Sequence, residues 1–339
     1  MKIQELHIQN YKSLVDLKII EPNPFTVFAG SNGAGKSNIF EAIELTFLTK
    51  YIDFTYSKRL FGNEEEIKSK ISNSDIVSIK FMLPISGFGF EYIYNLDRKS
   101  EEEFLFKGKS IGNPEEYNKY LVKHNLHGKD VNIMQSDFSR ISINTIKKVF
   151  DFTDDDLRLN TKASNLEKVL KRILKDENKR EDICEWLDLL VPGFEKIEIV
   201  SEPLSGTDSL IIYEKGTKKP YTKNLLSDGS YNILALLTTV YQSDEPQFLC
   251  IEEPENGLNP KVQKELVNLF RQKCEEEGHY IWINTHSQTI VNQLTTKELI
   301  LVNKVDGATQ IKQLQSFDTS GLPMDEAWLT NTLGGGVPW

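Results

Sequence analysis

Residues 30–37, Gly30-Ser31-Asn32-Gly33-Ala34-Gly35-Lys36-Ser37, follow the spacing G-x-x-x-x-G-K-[ST]. An apolar run at 25–29 precedes them, and Ile39, Phe40, Ile43 and Phe47 follow at the spacing of one helix face. A strand, a glycine-rich loop and a helix in that order make a cradle for phosphate. The glycines let backbone N–H groups turn inward, and the helix offers its positive N-terminus to the same anion. In such a loop Lys36 reaches the β- and γ-phosphates of a nucleoside triphosphate and Ser37 ligates Mg²⁺. Gly30, Asn32, Gly33, Gly35 and Asn38 complete the segment, so a nucleoside triphosphate with Mg²⁺ is the expected ligand.

With 339 residues, 39% apolar and 27% charged, the chain can bury a large core as one elaborate domain or two ordinary ones. Its formal net charge of −10 opposes attraction of the whole molecule to nucleic acid and leaves room only for a local basic groove. Cys184, Cys250 and Cys274 form no C-x-x-C pair, which suits a reducing compartment and an expected cytoplasmic location. No run of 18 apolar residues occurs, and the first residues lack a signal-like apolar segment, so no membrane span is expected.

Residues 2–20 alternate loosely around a turn at Asn10-Tyr11-Lys12-Ser13 and read as a hairpin. Strands are expected at 76–83 and 90–96. Two amphipathic helices are expected where Leu166, Val169, Leu170, Ile173 and Leu174 recur, and again where Ile183, Trp186, Leu187 and Leu190 do. Neither pattern runs on as a heptad repeat, which excludes a long coiled-coil arm. Pro192-Gly193 closes the second helix, and short strands at 197–200 and 210–213 follow. The implied division is a core of 1–50 and 222–305, an inserted β and helical part at 51–221, and a tail at 306–339.

The last third carries the chemistry. An apolar strand at 248–251 ends in Glu252-Glu253-Pro254-Glu255, and another at 280–283 ends in Asn284-Thr285-His286-Ser287. Carboxylates at the carboxyl end of a buried parallel strand point into the crevice where the phosphate loop opens. Glu252 is suited to complete the Mg²⁺ shell through water, and Glu253 to act as general base on the attacking water. His286 is suited to a hydrogen bond with the γ-phosphate or the attacking water.

The order of these segments, with Leu226-Ser227-Asp228-Gly229-Ser230 between them, is similar to that of the ABC-type ATPase superfamily. Within it the chain resembles the branch of SMC, RecF and OLD proteins. The resemblance implies an α/β P-loop fold with a mixed sheet core, an antiparallel β subdomain and an inserted helical subdomain. Residues 226–230 resemble the LSGGQ signature with departures at Asp228 and Ser230. Ser227 and Gly229 would accordingly clamp the γ-phosphate held by a second copy, in a homodimer that sandwiches ATP and can stack into larger oligomers. Glu255 to Pro260 resembles the D-loop, His286 the switch histidine, and Glu252 replaces the usual aspartate. Asn10-Tyr11-Lys12 resembles a hairpin motif whose basic residue reaches the nucleotide, and Gln135 is the candidate for the Mg²⁺-sensing glutamine. The middle of the chain resembles compact, armless ATPases of the AAA-type 21 and 15 classes, such as the PtuA-like ATPases of antiphage defence. Such proteins work beside a separately encoded nuclease or other effector. Only 53 residues follow His286, too few for the fused nuclease of OLD proteins.

Two further readings stand beside this one. The first is a RecF-like DNA clamp using a basic groove of Lys147, Lys148, Lys168, Lys171 and Arg172, and the second is a transporter motor subunit. His124 and His127 have ligand-like spacing but no evident partner, and read as surface residues. The tail, with Trp328, Trp339 and Gly334-Gly335-Gly336, reads either as a loose terminus or as an aromatic segment that docks a partner.

Overall fold

The computed structural model describes residues 3–83, 87–96, 106–123, 137–143, 156–201, 207–315, 317–319 and 321–337. β1 (Glu5–Tyr11) and β2 (Leu14–Ile20) pair antiparallel as the expected hairpin. β3 (Phe25–Ala29) leads through the glycine loop into α1 (Lys36–Leu48). After α2 (Phe54–Phe61) and α3 (Glu64–Ile67) come β4 (Ile76–Met82), β5 (Gly89–Asn95) and β6 (Phe106–Ile111). These three extend the hairpin into an antiparallel sheet of order β2-β1-β4-β5-β6.

α4 (Pro114–Lys123) and β7 (Asp137–Ile141) follow, then the two expected amphipathic helices, α5 (Leu166–Ile173) and α6 (Glu177–Leu190). β8 (Phe194–Ser201), β9 (Asp208–Glu214) and β10 (Tyr221–Thr222) form a small antiparallel sheet. The chain continues through α7 (Asp228–Tyr241), β11 (Gln247–Glu252), α8 (Pro260–Glu276), β12 (Tyr280–Thr285) and α9 (Gln288–Val291). It closes with β13 (Leu299–Val305), β14 (Ala308–Gln313) and α10 (Met324–Leu329).

The central sheet has the order β14-β13-β3-β12-β11-β7, parallel throughout except for β14. Its inner strands are apolar runs because both faces are covered. Val27, Leu249, Ile251, Ile281 and Ile283 face a core shared with α5, α6, α7 and α8. Phe28, Phe248, Cys250, Tyr280 and Trp282 face the opposite core, shared with α1 and the first sheet. α1 is thus held between two sheets. β3, β11 and β12 all end on the same side, which brings the loop at 30–37 together with the residues that follow β11 and β12.

The fold class matches the expectation, and strands of the middle segment join the sheets of the core. β7 lies inside 51–221, yet it pairs with β11 and completes the central sheet. Stacking of Phe138 on Phe47, with ring centroids 4.5 Å apart, ties it to α1. β4 to β6 continue the sheet begun by β1 and β2, so this segment completes two layers of the core.

The tail also returns. Trp328 is fully buried, and its Nε1–H donates to Gly336 O. Lys312 Nζ donates to Leu333 O at 2.7 Å, and Gly336 N donates to Asn303 Oδ1 at 2.6 Å. Gly336 has φ +70° and lies so close to Leu301 and Ala29 O that a Cβ there would meet both. The sequence left a loose terminus and a docking segment both open; Trp328 packs in a pocket of its own chain, while Trp339 lies outside the described residues. Trp328→Ala should lower unfolding stability by about 3 to 5 kcal/mol, the range for emptying a large core site. A urea midpoint left unchanged would contradict this packing role.

Candidate nucleotide-binding site

The loop at 30–37 is shaped from both sides. Gly33 and Gly35 have φ of +74° and +104°, in the left-handed region that suits glycine. Gly30 is needed for a different reason, because a Cβ there would come within 2.1 Å of Val302 O on β13. The loop tip is bolted to the hairpin and to β14. Thr309 Oγ1 donates to Ala34 O at 2.7 Å and lies 2.6 Å from Ser13 Oγ. Asn38 Nδ2 donates to the same Ser13 oxygen at 2.8 Å, so this side chain braces the loop rather than facing its hollow. Asn32 is exposed at the rim.

Lys36 is buried, and its Nζ donates to Gly30 O at 2.8 Å and to Ser31 O at 3.0 Å. It also stands 3.0 Å from His286 Nε2. A lysine ammonium only donates, so Nε2 accepts here and the imidazole is neutral. Burial, and then the nearby Lys36 charge, hold the His286 pKa below its usual value against the pull of Glu253. Burial likewise lowers the Lys36 pKa to about 8, opposed by Glu253, Glu255 and Glu252.

The acidic residues after β11 divide their work. Glu252 Oε2 accepts from Ser37 Oγ at 2.7 Å, and Oε1 accepts from Arg140 Nε at 2.7 Å and from Arg140 Nη2. Glu253 takes a left-handed φ of +47°, costly for a residue with a side chain. Asn284 secures it by accepting the Glu253 N–H through Oδ1 at 2.9 Å. Its carboxylate accepts from Asn256 Nδ2 at 3.0 Å and stands 3.7 Å from His286 Nε2. Glu255 Oε1 accepts from Thr285 Oγ1 at 2.7 Å and from His286 N at 2.9 Å, which orients the histidine's backbone. Burial raises the Glu255 pKa, opposed by the hydrogen bonds from Thr285 and the His286 N–H.

These donors suit Mg²⁺ and a triphosphate. Ser37 Oγ and Glu252 Oε2 are adjacent hard oxygens beside the phosphate cradle. Among the described residues no group of three or more His, Cys, Asp or Glu forms a metal cage. Mg²⁺ in nucleotide sites is held in this way, by one or two protein oxygens together with phosphate oxygens.

Residues 25–292 match the family described as "AAA domain, putative AbiEii toxin, Type IV TA system". The chain belongs to this AAA_21 family. Its fold is that of SMC head domains. A crystal structure of an SmcHead bound to the C-winged helix domain of ScpA aligns with a TM-score of 0.61 at 16% identity, covering 95% of this chain and 100% of that one. The SMC head from Thermotoga maritima gives 0.51 at 14% identity, with 93% and 100% covered. An Smc head with an extended coiled coil, bound to the C-terminal domain of ScpA, derived from Pyrococcus furiosus, gives 0.56 at 15% identity, with 98% and 99% covered. Among curated relatives, the energy-coupling factor transporter ATP-binding protein EcfA2 of Lactobacillus gasseri is 33% identical over 57 residues, 17% of this chain and 19% of its own length. EcfA2 of Lactobacillus acidophilus is 30% identical over 88 residues, 26% of this chain and 29% of its own length. The chain thus spans less than a third of either transporter protein.

Not every candidate residue of this AAA_21 protein joins the cluster. Ser227 caps α7 by accepting from Ser230 N at 3.1 Å, and a Cβ on Gly229 would meet Gly257 O at 2.5 Å. The signature segment therefore packs on the loop after β11, and among the described residues no hydrogen bond joins it to residues 30–37. Lys12, left-handed in its turn at φ +48°, pairs with Glu41 on α1. Gln135, His124 and His127 lie outside the described residues. Arg140 and Thr309 hold the site and were missed by sequence reasoning, as was the bracing role of Ser13 in the hairpin turn. Neither Arg140 nor Thr309 belongs to a local motif, and only sheet pairing brings them in.

Lys36 also sets a measurable trade. Its folded pKa of about 8 lies below the value of an exposed lysine, so folding works against a charged Lys36. The cost is full below pH 8 and fades as pH rises toward 10. Lys36→Met should stabilise the nucleotide-free protein by about 2 kcal/mol at pH 7, and the gain should vanish near pH 10. Thermal unfolding across that range checks it, and a loss of stability at pH 7 would contradict it.

Proposed function

We propose that this AAA_21 protein binds Mg·ATP and hydrolyses it in a composite site completed by a second copy of the chain. The observation that carries the proposal is convergence: Ser37 lies 2.7 Å from Glu252, Lys36 3.0 Å from His286, and His286 3.7 Å from Glu253. Lys36 and the loop N–H groups hold the β- and γ-phosphates, and Ser37 with Glu252 holds the metal. Bound Mg²⁺ supplies charge neutralisation at the phosphate oxygens. Glu253, on its strained backbone, orients water and takes its proton. Neutral His286 reports the γ-phosphate to the loop anchored by Glu255.

Ser227 and Gly229 support the dimer, because they sit apart from their own chain's phosphate loop while Ser227 remains exposed. In a head-to-tail pair, the N-terminus of α7 would meet the γ-phosphate held by the partner. The family description, with its toxin and toxin–antitoxin vocabulary, supports a regulatory role in which the ATP-gated dimer controls a nuclease or other effector supplied in trans, in antiphage defence.

The DNA-clamp reading draws less support. Lys171 pairs with Asp208, and Arg172 donates to Asp156 O, Leu157 O and Gln242 O, so neither presents an open phosphate contact. Lys147 and Lys148 lie outside the described residues. No helix among the described residues is long and apolar enough to cross a membrane.

Purified protein should hydrolyse ATP only with Mg²⁺. Lys36→Ala should lose nucleotide binding, and Glu253→Gln should retain it with turnover reduced at least 100-fold. Glu253→Gln should also accumulate as an ATP-bound dimer by light scattering, which Ser227→Arg prevents. Equal turnover in all variants, or a monomer under every nucleotide condition, would overturn the proposal.

A further inference from the structure

Arg140 lies at the centre of a buried charge cluster for which the phosphate-site chemistry has no direct use. β7 places it opposite Cys250, two residues before the end of β11, and its guanidinium reaches forward along the strand. Ser37, Glu41 and Glu44 follow one another at helical spacing on α1, so the two glutamates line the helix face that begins at the metal-binding serine. Arg140 Nη1 donates to Glu44 Oε2 at 2.7 Å, and Nη2 stands 3.6 Å from Glu41 Oε1. Nε and Nη2 both hold Glu252 Oε1. Lys12 closes the far end on Glu41. The side chains of Arg140, Glu41, Glu44 and Glu252 are all 13% exposed or less. Burial opposes the Arg140 charge, yet Glu44, Glu252 and Glu41 raise its pKa, so it stays a cation.

The consequence lies in how the two oxygens of Glu252 are assigned. Oε1 is taken by two donors of a rigid guanidinium, and Oε2 alone faces Ser37 Oγ. A glutamate has one more rotatable bond than an aspartate, and an unpinned glutamate beside Glu41 and Glu44 could turn both oxygens to a cation. Two-oxygen chelation is a habit of Ca²⁺, with its larger and looser shell, whereas Mg²⁺ takes single oxygens in octahedral geometry.

We propose that Arg140 is a positioning residue that restricts Glu252 to one metal-facing oxygen and so sets the preference of the site for Mg²⁺ over Ca²⁺. This rests on the Mg·ATP reading above. Arg140 acts through Glu252, whose Oε1 accepts from its Nε and Nη2. Lysine cannot replace it fully, because a single ammonium cannot hold Glu252 with two donors while also bridging to Glu44.

The test measures binding of N-methylanthraniloyl-ATP by fluorescence to the full chain in a Glu253→Gln background, titrating Mg²⁺ alone or Ca²⁺ alone. The background should bind the probe with Mg²⁺ at least tenfold more tightly than with Ca²⁺. Arg140→Met should shift that ratio at least tenfold toward Ca²⁺, and Arg140→Lys should fall between. Glu44→Gln, which leaves both donors on Glu252, should keep the background ratio. Should Arg140→Met fail to fold, Arg140→Lys decides: an unchanged ratio there overturns the proposal. An unchanged ratio in a folded Arg140→Met, or an equal shift in Glu44→Gln, overturns it as well, since the first denies the role and the second assigns it to net charge. If the background binds no probe with either metal, the Mg·ATP reading itself fails.

Discussion

The hydrogen bond from Ser37 Oγ to Glu252 Oε2 joins side chains 215 residues apart, and the rest of the site depends on the constraint that makes it possible. β3, β12 and β11 are parallel neighbours, so each delivers its last residue to the same side of the sheet. Short connections cannot link parallel neighbours, and the crossings run through helices that cover the sheet. The apolar strands follow from that covering, and the polar residues are left at the strand ends. Packing of α1 between two sheets then fixes the direction in which its first turn points. A shift of β11 by one residue would turn Glu252 to the opposite face and break the contact.

Charge is buried around this contact at a cost to stability. Lys36 is held among loop carbonyls and a neutral imidazole, and Arg140 among three carboxylates. Buried ion pairs of this kind seldom stabilise a protein more than apolar packing would, and their value lies in fixing one arrangement. Here the arrangement is a row of oxygens and donors with assigned partners. Glu253, on a left-handed backbone, is a further strain retained next to the chemistry, while Glu255 is held in place by its hydrogen bonds to the Thr285-His286 turn. The hairpin turn at Lys12-Ser13, β14 through Thr309 and the docked tail through Gly336 all brace the loop or the strand that feeds it.

Much of this was legible in the sequence where the signal is local. The glycine loop, the strands bearing Val27, Ile251 and Ile283, and the helix begun by Leu166 appear within a few residues of their expected places. Each is a run whose period or punctuation is complete within a short window. β7 was not legible: its sequence, Asp-Phe-Ser-Arg-Ile, has two apolar residues, and it is a strand only because β11 pairs with it. Arg140 was hidden for the same reason, since its partners come from α1 and β11. β14, a polar strand on the sheet border, lacks the apolar run of its neighbours. Trp328 was visible as a large apolar side chain, but no sequence pattern shows whether its pocket lies in its own chain or another. Ser227 and Gly229 were recognisable by resemblance, and their position away from residues 30–37 follows only from the packing of α7 on the loop at Gly257.

The most direct measurement of the central claim is a crystal structure with a non-hydrolysable ATP analogue and Mn²⁺, read by anomalous scattering. The account places the anomalous peak within coordination distance of both Ser37 Oγ and Glu252 Oε2. It places the γ-phosphate against Lys36 of one copy and the Ser227-Gly229 segment of another. A nucleotide bound elsewhere, or an ion beyond coordination distance of Glu252 Oε2, would contradict it.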